Sequence, residues 1–234
     1  SKKEIALRQQ LTKEYNIDLF SASEPRIAKE LFAMFLSKKT GIKKYDLKKM
    51  RTHRSKLIVN DLLLPYIKFK TATFQRLVNK FKALELNPYD LKGSFKYTVR
   101  YKKITTHFGL GGVHGARKDI YTSNDEFVIM SSDVTSFYPN LAIRNKWAPQ
   151  HLPKEEFCDQ YEWFFNERKK IPKSDPRNYV YKIVLNSTYG LSNDENSFLY
   201  DPELTMRITL NGQLSLMMLY EMICEGIPNA IPLM

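Results

Sequence analysis

Two short stretches of this chain hold residues that could act together on a phosphate ester. In the first, "SSDVTSFYPN" (131–140), Asp133 closes an apolar run, Phe127–Met130, that reads as a buried strand. Burying an unpaired carboxylate is costly, so Asp133 either caps the next turn or keeps a cation for company. In the second, "YKIVLNSTYG" (181–190), Lys182, Asn186 and Tyr189 fall at i, i+4 and i+7 of a helix and so share one face. Ile183, Val184 and Leu185 are left to pack the other side. Just upstream, "NERKK" puts Arg168, Lys169 and Lys170 in the last turn of a preceding helix. A short loop between antiparallel helices would bring Arg168 and Lys182 onto facing surfaces. Two convergent cations suit a triphosphate, whereas local pairing of Glu167 with nearby lysines is the purely structural alternative.

A hard divalent ion such as Mg²⁺ takes one or two carboxylates plus phosphate oxygens, which is the role open to Asp133. Mn²⁺ would serve in the same place. The turn that follows can offer backbone N–H groups of Ser136, Phe137 and Tyr138 to a phosphate. Together these parts describe phosphoryl transfer on nucleic acid.

Charge points the same way. The formal net charge is +12, but residues 1–120 carry 27 Lys and Arg against 10 Asp and Glu, and residues 121–234 carry 10 against 15. The densest run, Lys38–Lys56, has nine basic residues and only Asp46 opposing them. Such asymmetry favours a polyanion partner. The chain lacks an 18-residue apolar stretch and a signal-peptide pattern, so the expectation is a soluble chain in a reducing compartment, not a secreted or membrane one. The two cysteines, Cys158 and Cys224, lie far apart, and the four histidines show no zinc spacing.

The elements that must position these residues can be read from local signals. A helix is expected over 4–14. Another is framed by Ser23 as N-cap, Pro25 in its first turn and Gly41 past its end. Phe74–Leu84 has helical apolar spacing. "SFKYTVRYKKITTHFGL" alternates like a strand, and "KDIYTS" and "EFVIMS" flank Asn124-Asp125 as a plausible hairpin. Helices are expected over 154–170, over 177–189 behind an Asp175-Pro176 start, and over 203–225 with Gly226 as the stop. Helices, then a sheet, then helices predict an α+β fold. Asp201 and Glu203 are read as favourable charges at a helix N-terminus.

"DVTSFYPN" resembles palm motif A of family B DNA polymerases, usually DxxSLYPS, and "KIVLNSTYG" resembles their fingers motif B, KxxxNSxYG. "YDPELTMRITLNGQLSLMMLYEMI" is similar to the helix that follows motif B in phage members. The likeness covers residues 97–226. It implies a basic, mostly helical region over 1–96, a palm sheet over 97–153, a fingers helical hairpin over 154–190 and a palm helix over 191–234. It further implies template-directed addition of dNTP to a primer 3′ end by two-metal chemistry. Asp133 and the Val134 carbonyl would hold the metals. The Ser136 and Phe137 backbone, Arg168 and Lys182 would contact the triphosphate, and Asn186 would lie near the nascent pair. Tyr138 would stack under the sugar and exclude a 2′-hydroxyl. Tyr189 and Gly190 would pack along the template. A further fingers lysine is expected where Pro172 stands, a role left to Lys170 or Lys173. "GLGGVHG" sits where the family often joins its exonuclease and polymerase parts. Its Gly111 and Gly112 would contact primer-template DNA, and a plain tight turn is the alternative.

The family's motif C, a strand ending in DTD, has no counterpart, and no DxD occurs. The resemblance therefore implies a fragment cut before motif C, inactive alone, from a chain working in the cytoplasm, that of a bacterial host if phage-encoded. Only 49 positions separate Asp133 from Lys182, too few for the insertion of protein-primed members. A different class stays open: a non-enzymatic nucleic-acid-binding module on a polymerase-derived scaffold.

Overall fold

The structure, a computed structural model, describes residues 2–91 and 95–233. Ser94, where the expected strand begins, lies outside the described residues. The class is α+β, with helices and two small antiparallel sheets. The chain divides into two compact units, each built from two separate stretches: 1–53 with 138–205, and 54–137 with 206–234.

The first unit contains α1 (Lys2–Tyr15), α2 (Glu24–Thr40), α3 (Lys44–Leu47), most of α6 (Phe137–Arg144), α7 (Lys154–Lys170) and α8 (Pro176–Leu191). The expected signals set the ends of α2. Ser23 stands at the N-cap position in extended conformation, although its side chain makes no capping hydrogen bond, and Gly41 takes the left-handed conformation (φ 74°) while its N–H returns to the Ser37 carbonyl. Asp175 caps α8 by accepting from the Arg177 N–H, with Pro176 at the first helical position. The helices α7 and α8 pack as the hairpin foreseen, but α2 packs against both and makes it a three-helix layer. Phe32 of α2 is the centre of that layer, stacked on Phe157 at 5.0 Å and close to Phe164 and Tyr161. Each fully buried Phe contributes about 1.5–3 kcal/mol. The buried Tyr161 hydroxyl donates to the Leu185 carbonyl at 2.8 Å, tying α7 to the turn of α8 that leads to Tyr189.

The second unit contains β1 (Leu57–Ile58), α4 (Val59–Leu62), α5 (Ala72–Lys82), β2 (Glu85–Leu86), β3 (Tyr97–Tyr101), β4 (Ile104–Gly109), β5 (Gly112–Ala116) and most of α9 (Pro202–Gly226). Its core gathers Phe74, Leu77, Val78 and Phe81 of α5, Ile104 and Phe108 of β4, and Met206, Leu210, Leu214 and Met217 of α9. The α5 residues stand at i, i+3, i+4 and i+7, the stripe of an amphipathic helix. Two buried polar side chains of α9 hold the 62–71 segment. Asn211 donates to the Leu62 carbonyl at 2.8 Å and accepts from the Leu64 N–H at 2.7 Å. Glu221 accepts from the Lys70 and Thr71 N–H groups at 2.9 and 2.8 Å, at the start of α5.

Three sequence expectations need correction. The alternating stretch 97–109 is a hairpin, not one strand: Lys102 and Lys103 both adopt positive φ (48° and 66°) and turn β3 into β4. That two-residue turn normally calls on Asn or Gly, so a Lys-Lys pair hides it. Next, neither "KDIYTS" nor "EFVIMS" forms a strand. The turn itself exists, with the Asn124 side chain accepting from the Glu126 and Phe127 N–H groups at 3.0 and 2.8 Å. Phe127, Val128, Ile129 and Met130 are 48%, 80%, 45% and 89% exposed, so their alternation survives but the run is not buried. An extended segment becomes a strand only when a neighbouring strand pairs with it; among the described residues none pairs with this one, whose Phe127 N–H goes to the Asn124 side chain instead. Finally, the turn expected at Ser136–Tyr138 enters a helix at Phe137, α6, not expected from the sequence.

Candidate functional site

Asp133 lies on the irregular segment 117–136 and is exposed, as is Val134. The premise of a buried carboxylate at a strand end therefore fails, because the strand that would bury it does not form. Ser136 follows in the left-handed region (φ 49°), a conformation costing a non-glycine residue about 1 kcal/mol, and the chain then enters α6 at Phe137. Ser136 and Phe137 are half-buried. Asp133, Val134, Ser136 and Phe137 count with the second unit; Tyr138 and the motif residues of α7 and α8 count with the first.

Within the first unit the two motifs meet. Tyr138 and Tyr189 are 51 positions apart in sequence, yet their rings lie 4.9 Å apart, inclined by 60° in an edge-to-face contact. Burial first, then the neighbouring Tyr189 phenol, pushes the Tyr138 hydroxyl up to about 12. On α8, Lys182 and Asn186 are exposed while Ile183, Val184 and Leu185 are buried, as expected from the spacing; Tyr189, expected on the Lys182 face, is half-buried against Tyr138, and Gly190 is exposed. Gly190 has open space where a Cβ would point. Arg168 is half-buried in the last turn of α7, and its carbonyl, with that of Ile171, accepts from the Asn178 amide at 3.0 and 2.8 Å. That amide clamps the α7–α8 loop. The local pairing weighed for Glu167 is real but takes Lys170, at 2.6 Å. Lys173 is exposed in the loop.

Gly111 and Gly112 lie in a tight connection: Gly109 pairs with Gly112, and Leu110-Gly111 makes the two-residue turn from β4 to β5. The plain turn accounts for this stretch without a phosphate cradle.

Sequence reasoning missed a polar cluster in the first unit. His151 bridges Thr52 Oγ1, 2.8 Å from Nδ1, and the Phe198 carbonyl, 2.7 Å from Nε2. A carbonyl only accepts, so Nε2 carries the proton and Nδ1 accepts from the Thr52 hydroxyl. Burial holds the imidazole below its usual pKa. Nearby in the fold, buried Asp201 accepts from the Gln150 and Glu203 N–H groups at 2.9 and 3.1 Å, which is the N-terminal role expected for it. A lone His between distant segments leaves no sequence signal.

Among the described residues, no group of three His, Cys, Asp or Glu could hold a metal ion. Asp133 alone does not fit a catalytic Mg²⁺ or Mn²⁺ pair, which needs several carboxylate oxygens. No helix among the described residues is long and apolar enough to cross a membrane.

Comparison of the chain with protein-family models, with curated proteins and with solved structures finds no match in any of the three.

Proposed function

We propose that this chain carries the motif A and motif B regions of a family B-like DNA polymerase, adding dNTP to a primer on a DNA template. The observation that supports it is the Tyr138–Tyr189 contact: two stretches selected for their likeness to motif A and motif B meet through one tyrosine of each. On this reading β3–β5 and α9 are palm elements, and α7–α8 are the fingers. Lys182 and Arg168 hold the triphosphate. Asn186 faces the nascent pair, and Tyr189 and Gly190 line the template. The Tyr138 ring sits under the sugar, where a 2′-hydroxyl would collide with it. Metal-assisted chemistry would need carboxylates beyond Asp133, so no step is assigned to the ion.

A second reading, a nucleic-acid-binding module without catalysis, draws on the exposure of Asp133 and the lack of a three-ligand cluster among the described residues. Two measurements separate the readings. Titration of a fluorescent dNTP analogue should give a Kd that Lys182→Ala raises about tenfold and Lys80→Ala, at an exposed position of α5, leaves unchanged, since loss of a charge-assisted contact costs about 1.5–3 kcal/mol. Primer extension with Mg²⁺ or Mn²⁺ follows. Template-dependent extension lost in Asp133→Asn supports the polymerase. DNA binding with neither triphosphate binding nor extension supports the module.

A further inference from the structure

The densest basic run is the obvious place to seat a polyanion, yet the fold uses most of it internally. Lys44 and Lys48 both pair with Glu30, Lys39 pairs with Asp159, and Lys56 with Glu85. Lys49 lies 3.9 Å over the Tyr45 ring. Arg51 donates to the carbonyls of Glu195 and Asn196 at 2.8 and 3.1 Å, and to those of Lys48 and Met50. Five of the nine cations thus brace the first unit, and Lys56 pairs within the second.

The second unit holds a different surface. A cavity of about 840 Å³ opens beside β4 and β5, lined among others by Lys103, His107, His114, Arg117, Lys118 and Asp119. His107 and His114 are direct cross-strand partners, both exposed on one face of the sheet. Such partners have Cβ atoms about 5 Å apart, so the two imidazoles share one face of the sheet. Thr98 on β3, the residue paired with His107, holds its Nδ1 at 3.1 Å. Arg117 is fixed by the Lys102 carbonyl and the Tyr121 hydroxyl, at 3.0 and 3.1 Å. The same hydroxyl donates to Asp119, the one acid of the lining, at 3.1 Å. Lys103 and Lys118 are exposed. Gly115 lets β5 lie close to β4: a Cβ there would meet Ile104, the Thr105 carbonyl and Thr106, each at 3.1 Å.

We infer that this groove binds a single strand of nucleic acid, with Lys103, Arg117 and Lys118 on the phosphates and the two imidazoles as platforms for stacked bases. Cations flanking planar rings are what sequence-tolerant single-strand sites are made of. The inference rests on the reading that the chain handles nucleic acid, but it needs neither triphosphate binding nor synthesis. It also moves the affinity away from Lys38–Lys56.

Fluorescence anisotropy with a labelled oligothymidylate of about twelve nucleotides, within the usual site size, tests it across a salt series. The double variant Lys103→Glu/Lys118→Glu should lose at least about tenfold in affinity at low salt and about two units of salt slope. Lys38→Glu/Lys43→Glu, the same change of charge in the dense run, should lose less than about threefold. His107→Ala/His114→Ala should weaken binding about tenfold with the slope intact. Circular dichroism and thermal melts confirm folding, and the single variants Lys118→Ala and His114→Ala give smaller losses in the same order. Equal losses from the two charge reversals would overturn the assignment in favour of attraction to net charge. A duplex of equal length bound as tightly as the single strand would overturn the stacking role. Triphosphate binding and primer extension are read separately from oligonucleotide anisotropy on the same chain, so a failed polymerase test and a failed groove test are told apart.

Discussion

Tyr138, at the second position of α6, presents its ring to Tyr189 near the end of α8, edge to face at 4.9 Å. The pair joins two helices whose sequences lie far apart. Such ring pairs contribute about 0.5–1.5 kcal/mol beyond the area they bury. Tyr138→Ala should therefore destabilise the first unit by about 1–3 kcal/mol in urea denaturation, and Tyr138→Phe by much less. On the polymerase reading, the Ala variant should also raise ribonucleotide use relative to dNTP by about tenfold or more, while Phe keeps the discrimination. Equal losses on both substrates would leave the ring with a packing role alone.

Gly190 tests whether something outside the chain approaches α8. Glycine in a helix costs about 0.5–1 kcal/mol relative to Ala, and here a Cβ would meet nothing within 4 Å. Gly190→Ala should thus raise stability by about that amount in thermal or urea melts. The same variant should weaken template-dependent binding or extension, because the added methyl stands where the template is proposed to lie. Gain on both counts would argue against that contact.

Acid should loosen the first unit through two groups. Burial depresses the His151 imidazole, so its contribution is complete above about 6.5, the usual His value, and is lost as pH falls toward the lower folded value. Burial alone would raise the Glu30 carboxyl, but Lys44 and Lys48 override it and hold it below the usual 4.5, so its contribution disappears at still lower pH. Denaturation midpoints should fall between about pH 7 and 5, and His151→Gln should flatten that interval while leaving the Glu30 part. An unchanged slope in the variant would show that the imidazole is not the titrating group.

Asn211 is fully buried, and its side chain satisfies the backbone of Leu62 and Leu64. Asn211→Leu keeps the size but leaves that carbonyl and N–H without partners. The expected loss is about 2–4 kcal/mol in urea denaturation. A change under about 1 kcal/mol would mean that water reaches the segment.

Helix termini were the most legible part of this molecule. Ser23, Pro25 and Gly41 bracket α2, and Asp175-Pro176 opens α8, because caps act on the few residues beside them. The face shared by Lys182 and Asn186 was equally readable, since helical period alone sets it. What failed depended on distant partners. Phe127–Met130 has the composition of a strand, but composition does not supply the neighbour that makes one. The Lys102-Lys103 turn escaped because its residues are poor formers of the conformation they adopt. The proximity of Tyr138 to Tyr189, and the His151 bridge from Thr52 to Phe198, are products of packing between segments that no local pattern connects.

The carboxylate of Glu221 has a consequence in time. It serves amide groups at Lys70 and Thr71, 151 and 150 positions earlier in the chain. At a synthesis rate of about 5–20 residues per second, those groups wait about 8–30 s for their acceptor. Through that interval Phe74 and Phe81 of α5 lack the α9 side of their core, and the stretch 54–137 emerges from the ribosome with apolar surface uncovered. The second unit therefore closes late, from its C-terminal helix backward, and a nascent chain stalled before Glu221 is a natural client for chaperones.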